Sequence, residues 1–265
     1  MIEWLYNLPV VLMALTIFAV TYALAGGIYW VVARLAIDDR ARAFKALSPG
    51  MLPPLGIIFG LLVAFVATQV WSDFDKARNA VASEASALRG MILLASNFSA
   101  DEEASLRALV GRHINAAVRE EWPAMAGKYA SLATPSAPLV EALQRTLALT
   151  PTTEGQKIAQ REIVSALESA LDGRRQRIII SQSSVNGVKW MGLLLQAVCA
   201  LIAIAMVHSD NRLACAIALT LFSTGVALSV LLIASHSRPF TGDISIKPEI
   251  LLQVMPEAIT PEANP

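Results

Sequence analysis

The 265-residue chain contains 16% charged residues, where soluble domains contain about 25%, and its mean hydropathy is +0.55. The 21 basic and 21 acidic side chains cancel to a formal net charge of zero. Because no basic patch stands out, we expect no nucleic-acid partner, and the apolar composition indicates an integral membrane protein.

Four uncharged, apolar stretches are each long enough to cross about 30 Å of hydrocarbon as a helix. They comprise residues 4–33, 46–72, 190–207 and 213–235. A charge at mid-membrane costs roughly 2.5–3.5 kcal/mol on insertion scales, so clean runs of this length predict membrane spans. We expect the first run to be a span rather than a cleaved signal peptide. A signal peptide begins with basic residues, whereas the residues before this run include the acidic Glu3 and no basic residue.

The second span is predicted to continue into the first helix of a domain outside the membrane. Neither glycine nor proline occurs between Gly60 and Gly90, so residues 61–89 are expected to form one unbroken helix that leaves the lipid near Asp73. Beyond Asp73 the apolar residues recur at spacings of three and four, which is typical of an amphipathic helix.

Three further amphipathic helices are predicted in the central block. Ser99 and Glu102 form a capping box at the start of the first, which we expect to end at Pro123. The other two are predicted to begin at Ser136 and at Thr152 or Thr153. Four such helices can bury a core of their own, so we predict a helical-bundle domain outside the membrane.

The predicted fold is therefore an all-α membrane protein with four transmembrane helices and a helical-bundle domain inserted between spans two and three. The predicted boundaries are 1–72 for the first two spans, 73–188 for the domain, 189–237 for the last two spans and 238–265 for a proline-rich tail. The first part of the tail has enough apolar residues to dock, and its final part is expected to be disordered.

The number of spans and the loop charges bear on membrane topology. An even number of spans places both termini and the helical domain on one side. The loops on the opposite side carry Arg34, Arg40, Arg42, Lys45 and Arg212. By the positive-inside rule these loops are cytoplasmic, which favours an extracytoplasmic domain in a bacterial inner membrane.

One face of the second span carries the candidate pore-lining residues. They are Ile58, Leu62, Phe65, Gln69, Asp73 and Lys76. If copies of this helix surrounded a pore, its apolar rings would gate by dewetting and a carboxylate ring at the mouth would favour cations. The alternative is that the apolar members face lipid or other spans and the polar members mark the interface, since any span shows such a face.

Two further groups of residues are structural candidates. Glu84, Glu121, Arg174 and Arg177 could form an ion-pair network between the domain helices; separately solvated charges are the alternative. A tail anchor is predicted at Arg238, Pro239, Phe240 and Gly242, with the arginine at the lipid head groups and the phenylalanine in the interface.

No pattern typical of catalysis occurs. His113, His208 and His236 stand at no metal-ligand spacing, and neither a phosphate-binding loop nor a nucleophile elbow is present. His113 is expected to be solvated or half-packed. Cys199 and Cys215 are expected to be small buried apolar side chains. We therefore predict no enzymatic activity, no cofactor and no metal site.

Several short motifs occur in the order typical of one family. They are Phe65, Trp71, Asp75-Lys76-Ala77 and Glu84-Ala85, then Glu121-Trp122-Pro123, then Arg174, Arg177 and Trp190, and finally Arg238-Pro239-Phe240-Thr241-Gly242. From about residue 50 to residue 250 the chain thus resembles the bestrophin-like family of unknown function. Members of that family usually have an acidic residue before the Arg-Pro-Phe element, where this chain has Ser237.

The resemblance implies a distant similarity to bestrophins, which are oligomeric ion channels with four spans per subunit and a pore lined by the second. It implies that Ile58, Leu62 and Phe65 form the neck of the pore and that the tail reaches a neighbouring subunit. It also implies a cytoplasmic domain, against the charge distribution of the loops. Bestrophins bind calcium through an acidic clasp, but no matching cluster occurs here.

We therefore predict a homo-oligomeric ion channel, with a pentamer as one candidate assembly and the lipid bilayer and inorganic ions as its partners. The alternative is a non-conducting, membrane-anchored scaffold or sensor whose helical domain binds a partner protein. A transporter is less favoured, because no ionisable residue lies deep in a span and no inverted repeat occurs.

Overall fold

The computed structural model describes residues 3–6, 8–36, 44 and 49–256. Among these residues the regular structure is helical and no strand occurs, so the predicted all-α class is confirmed. The helices are α1 (Glu3–Tyr6), α2 (Val10–Leu35), α3 (Leu52–Ala95), α4 (Ala100–Ala116), α5 (Trp122–Ala126), α6 (Ala137–Ala148), α7 (Glu154–Ser181), α8 (Gly187–Val207), α9 (Arg212–His236) and α10 (Glu249–Leu252). The loop positions Arg40, Arg42 and Lys45 lie outside the described residues.

Four helices are long and apolar enough to cross a membrane, which confirms the four predicted spans by length and composition. They are α2, α3, α8 and α9. Only 22–28% of the most apolar window of each is buried within the chain. The remaining apolar surface is available to lipid or to other copies of the chain.

Helix α3 is continuous over 44 residues and has no break at Trp71. The prediction of one unbroken helix across residues 61–89 is therefore confirmed. Gly90, the residue after this stretch, lies inside the helix. A single glycine weakens a helix by roughly 0.5–1 kcal/mol, which is too little to stop one this long.

The chain divides into two compact units, each with its own core. The first, which we call the span unit, comprises residues 1–72, 184–238 and 242–244. In it α2 packs on α9 through Met13, Ile17 and Ala227. The buried side of α3 packs on α8 and α9, where Leu193 and Val226 belong to the same apolar cluster.

The second unit, which we call the bundle unit, comprises residues 73–183, 239–241 and 245–265. Its core contains apolar residues of α3, α4, α6 and α7, among them Leu88, Val110, Leu139 and Leu167. The capping box of Ser99 and Glu102 is present at the start of α4. Thr153 caps α7 by accepting from the backbone N–H of Gln156.

The helix that begins after Ser99 does not end at Pro123, contrary to the sequence-based expectation. A π-helical turn over residues 117–121 follows α4 and leads directly into α5, whose second residue is Pro123. Proline is tolerated in the first turn of a helix, where its missing N–H has no intrahelical partner to lose. The π-turn changes the direction of the following side chains, including Trp122.

The described part of the tail packs within its own chain. Phe240, Ile246 and Leu251 are buried in the core of the bundle unit. Whether the tail also reaches a neighbouring subunit, as the resemblance implies, stays a prediction. Residues 257–265, which were expected to be disordered, lie outside the described residues.

Candidate functional site

The apolar members of the candidate pore face lie on the exposed side of α3 in the span unit. Ile58 and Phe65 are 48% and 66% exposed, and Leu62 is partly buried. The opposite side of the helix carries Phe59 and Val66, which are buried against the neighbouring spans. Among the described residues, the orientation of α3 thus leaves Ile58 and Phe65 exposed.

A row of small residues runs beside this face. Gly56, Gly60, Ala64 and Thr68 follow one another at intervals of four and are all exposed. A Cβ atom added to Gly56 or Gly60 would meet no atom within 4 Å. Such a row lets a second helix approach closely in a membrane.

Gln69, the polar member of the face within the span unit, is bound by a lysine from another span. The ammonium of Lys189 donates to Oε1 of Gln69. Lys189 lies in the first turn of α8, which Asn186 caps by accepting from the backbone N–H of Val188 at 3.0 Å. Lys189 was not among the predicted site residues, because a lysine beside Trp190 at the start of a span is typical of an interfacial anchor.

The two remaining candidates belong to the bundle unit, where they pair with each other. The Nζ of Lys76 lies 3.5 Å from a carboxylate oxygen of Asp73, one turn earlier on α3. The Asp73 side chain is 28% exposed and the Lys76 side chain 64% exposed. The carboxylate at this position is therefore balanced by its own neighbour.

The four charged candidates of the bundle unit lie in contact in its interior. Arg177 donates to both carboxylate oxygens of Glu84, from Nε at 2.7 Å and from Nη2 at 3.0 Å. The same Nη2 also donates to Glu121 at 2.7 Å. Arg174 donates from Nε to the other oxygen of Glu121, again at 2.7 Å. Two arginines thus alternate with two glutamates, so the network carries no net charge.

Burial of these charges costs desolvation free energy, and removing one partner would leave the other as a buried charge without compensation. The side chains of Glu84 and Arg177 are 0% exposed. Burial alone raises the pKa of Glu84, but the charge of Arg177 and the hydrogen bonds from His113 and Arg177 outweigh it and hold the pKa at about 2. The pKa of Glu121 is likewise below its usual value: burial raises it, and the charges of Arg177 and Arg174 lower it by more.

His113 belongs to the same network and was missed from the sequence. It is 1% exposed, where a solvated or half-packed side chain was expected. Its Nε2 lies 2.8 Å from Oε1 of Glu84. Because an ionised carboxylate only accepts hydrogen bonds, Nε2 carries the proton and donates. The sequence signal was its place on the apolar face of α4, three residues after Val110.

Two members of the network also hold the segment that leads into α6. Nδ1 of His113 shares a hydrogen bond of 2.9 Å with the hydroxyl of Ser136, the residue before α6. Arg174 donates from Nη2 to the backbone oxygen of Thr134 at 3.0 Å. The buried charges therefore position the 127–136 loop as well as the helices.

Trp122 connects this network to the tail within the bundle unit. The guanidinium carbon of Arg177 lies 4.9 Å from the centre of the Trp122 ring. The indole N–H donates to the backbone oxygen of Ile246 at 3.1 Å, and Phe240 meets the ring edge-on at 5.8 Å between centroids. The sequence predicted that Phe240 would lie in the membrane interface. The side chain is instead buried in the core of the bundle unit.

Two further anchor residues, Arg238 and Gly242, lie in the span unit near the N-terminal segment. The guanidinium of Arg238 stacks 4.1 Å above the ring of Tyr6. Gly242 has a φ of 85°, and a Cβ there would lie 3.1 Å from the backbone oxygen of Tyr6. The carboxylate of Asp243 accepts from the backbone N–H of Val10 at 3.0 Å, at the positive end of α2. Asp243 was not predicted, since its partner lies 233 residues away.

Comparisons with known proteins agree on the fold. A family model described as the Bestrophin-like domain matches residues 19–251. A point variant of a bacterial bestrophin homologue from Klebsiella pneumoniae matches with a TM-score of 0.67 at 12% identity, over 93% of this chain and 97% of that chain. The same homologue, solved by Zn-SAD phasing, matches with a TM-score of 0.67 at 14% identity, over 91% and 95% of the two chains.

Identities this low establish the similarity of the fold alone. A variant described only as a membrane protein also matches with a TM-score of 0.67, at 13% identity and over 93% of this chain and 96% of that chain. The comparison with curated proteins gave no match.

Proposed function

The chain belongs to the bestrophin-like family, and on that premise we propose that it forms a homo-oligomeric ion channel whose pore is lined by the second span, α3. The observation that carries the proposal is the one-sidedness of this helix. Phe59 and Val66 are buried against neighbouring spans, whereas Ile58 and Phe65 remain exposed. A ring of copies would bring these exposed side chains together around an axis.

The proposed neck consists of Ile58, Leu62 and Phe65. Successive apolar rings of this kind hold a narrow path dry until it widens, which is how hydrophobic constrictions gate. The row of small residues from Gly56 to Thr68 supports the oligomer, because it lets an adjacent helix pack closely. A pentamer is one assembly of this type.

The proposed location is the inner membrane of a bacterium. The loop charges favour an extracytoplasmic bundle unit, whereas similarity to bestrophins favours a cytoplasmic one. Tyr129 is 69% exposed in the bundle unit and is suited to a labelling experiment. Labelling of Tyr129→Cys by an impermeant maleimide in intact spheroplasts would place the unit outside; labelling only after lysis would place it in the cytoplasm.

The channel itself is tested with purified protein in planar bilayers. We expect single-channel currents, and Ile58→Ala should change conductance or gating because it widens the proposed neck. Ile57→Ala is the matched control: it is the same change on the adjacent residue, which is 69% exposed and lies about 100° away around the helix. Silent bilayers together with a monomeric or dimeric particle would favour the membrane-anchored scaffold or sensor.

A further inference from the structure

We propose that the 127–136 loop of the bundle unit rests on the membrane surface, where Tyr129 and Leu132 enter the head-group layer of the lipid. The loop is thus an interaction surface, and its partner is the lipid rather than a second protein. A contact of this kind is independent of ion conduction, so it goes beyond the proposed function.

The loop presents apolar side chains to the outside from a well-defined turn. Tyr129 is 69% exposed and Leu132 is 42% exposed. The backbone N–H groups of Tyr129 and Ala130 both donate to the backbone oxygen of Ala124, at 3.0 and 3.2 Å. Lys128 between them and α5 has a φ of 62°, in the left-handed region that residues other than glycine rarely adopt. The exposure of Tyr129 therefore belongs to a hydrogen-bonded turn and not to a loose chain.

The ring of Tyr129 is supported on one side by a glycine. A Cβ atom on Gly127 would lie 2.7 Å from Cδ1 of the ring, which is too close for any real side chain. The ring therefore lies against the backbone at Gly127, and most of the rest of its surface is open. An aromatic side chain held in this way is available for contact with a partner at little further cost in conformational entropy.

The loop is tied to the residues that lead into a membrane span. Nε2 of Gln182 donates to the backbone oxygen of Ala130 at 2.8 Å, and Nζ of Lys128 donates to the backbone oxygen of Ser183 at 3.5 Å. Val185 belongs to the apolar core of the span unit, and the span α8 begins two residues later. Two Cα–Cα steps of 3.8 Å cover at most about 8 Å, so Ser183 lies within that distance of a residue of the span core.

This distance places the loop at the level of the lipid head groups. The polar layer on each side of the hydrocarbon is roughly 5–7 Å thick, which is comparable to the length of a tyrosine side chain. Ile179, one turn before Ser183 on α7, is 47% exposed and adds to the apolar surface at this end of the helix.

The residue types of the loop fit lipid as the occupant. Tyrosine is enriched at membrane–water interfaces, because its ring is apolar and its hydroxyl remains hydrated. A lysine beside it can place its alkyl stem along apolar surface while its ammonium stays among polar groups, as Lys128 does at the backbone oxygen of Ser183. The head-group layer is hydrated, so a cysteine at position 129 there still reacts with an impermeant maleimide from its own side.

The test uses spin labels on the full chain in vesicles of phosphatidylethanolamine and phosphatidylglycerol. Cys199→Ala and Cys215→Ala remove the native thiols, and Tyr129→Cys or Leu132→Cys supplies one labelling site. Electron paramagnetic resonance then measures how often the label collides with oxygen, which concentrates in lipid, and with a nickel chelate, which stays in water. We expect an oxygen-to-nickel ratio severalfold higher at both loop positions than at a control position in water.

The control position is Leu147, which is 63% exposed and therefore matches Tyr129 in exposure. The backbone oxygen of its neighbour Thr146 accepts from Gln160 at 2.8 Å. Gln160 is about 30 Å along α7 from Ser181, the last residue of that helix. Leu147→Cys thus reports an exposed apolar site at a distance from the residues that lead into α8.

A second pair of variants tests Tyr129 itself, with the label at Leu132→Cys. Tyr129→Ser should lower the ratio at position 132 towards the control value, because the loop loses its aromatic anchor. Tyr129→Trp should keep the ratio high, since tryptophan is also enriched at membrane interfaces. A ratio at position 132 that is high with tyrosine and unchanged by Tyr129→Ser would overturn the role assigned to Tyr129.

Two further outcomes would overturn the membrane contact. A ratio at positions 129 and 132 equal to that at Leu147→Cys would place the loop in water. Low collision rates with both reagents would show that protein covers the loop, as a second copy of the chain would. Either result would leave the proposed channel standing, because its currents are measured separately in planar bilayers.

Discussion

Gly173 of α7 lies so close to Glu84 of α3 that a Cβ atom on the glycine would be 2.9 Å from the Cβ of Glu84. The same added atom would lie 3.1 Å from the backbone oxygen of Ala80. The absence of a side chain therefore allows the two helices to approach. Arg177, one turn further along α7, can then reach both oxygens of the Glu84 carboxylate.

Gly173→Ala should destabilise the bundle unit by about 1–3 kcal/mol, because the added methyl group meets backbone and must push the helices apart. Thermal unfolding followed by circular dichroism in detergent would measure the loss as a lower Tm. Gly90→Ala is the matched control, since its Cβ would meet nothing within 4 Å. Replacing an unhindered helical glycine should stabilise the helix slightly. A Tm of Gly173→Ala equal to that of Gly90→Ala would contradict the close approach.

Stability should depend on pH through Glu84. Its pKa is about 2 in the folded protein against 4.5 for the unperturbed group. Above pH 4.5 the carboxylate is ionised in both states and its contribution is fully present. Between pH 4.5 and about 2 the unfolded chain binds the proton and the folded chain does not, so the stability falls as the pH falls. Glu121, whose pKa is also lowered, acts in the same direction.

Glu84→Gln should flatten this acid-dependent loss and should also reduce stability at neutral pH by about 3–5 kcal/mol, because Arg177 is left as a buried charge without its main partner. Urea titrations at pH 7, 5 and 3 would measure both effects. Glu141→Gln is the control: Glu141 pairs with Arg112 and Arg145 on the surface, where such pairs contribute little. An unchanged pH profile in Glu84→Gln would show that another group governs acid unfolding.

Removing the imidazole of His113 should loosen the loop before α6. His113→Leu places an apolar side chain in the core and removes the hydrogen bonds of His113 to the Ser136 hydroxyl and to Glu84. We expect faster hydrogen exchange in residues 127–140, with smaller changes in α4. Ser136→Ala removes the same hydrogen bond from the other side and should reproduce the effect. Equal exchange in wild-type and variant proteins would mean that Arg174 and the backbone hold the loop alone.

Phe240→Ala should release the tail from the bundle unit. The side chain is 4% exposed and packs edge-on against Trp122, and replacing a buried phenylalanine by alanine costs about 3–5 kcal/mol. Limited proteolysis should then cut between residues 239 and 256 faster than in the wild type. Ile244→Ala, at a site 37% exposed, is the control and should change the cleavage rate little. Equal cleavage of the two variants would show that the tail is held elsewhere.

Features that depend only on neighbouring residues could be predicted from the sequence. The four spans follow from runs of apolar side chains, the start of α4 follows from Ser99 and Glu102, and the continuity of α3 follows from the lack of a helix breaker. Each of these is decided within a few residues, by hydropathy or by a local hydrogen bond.

Which distant groups share an interior could not be predicted from the sequence, because it depends on how the helices pack. His113 is buried because Glu84, 29 residues away, accepts its hydrogen bond, and Arg177 meets Glu84 across 93 residues because Gly173 leaves room. Lys189 binds Gln69 across 120 residues. A polar side chain is stable inside only where a partner satisfies it, and packing, which no local pattern encodes, selects that partner.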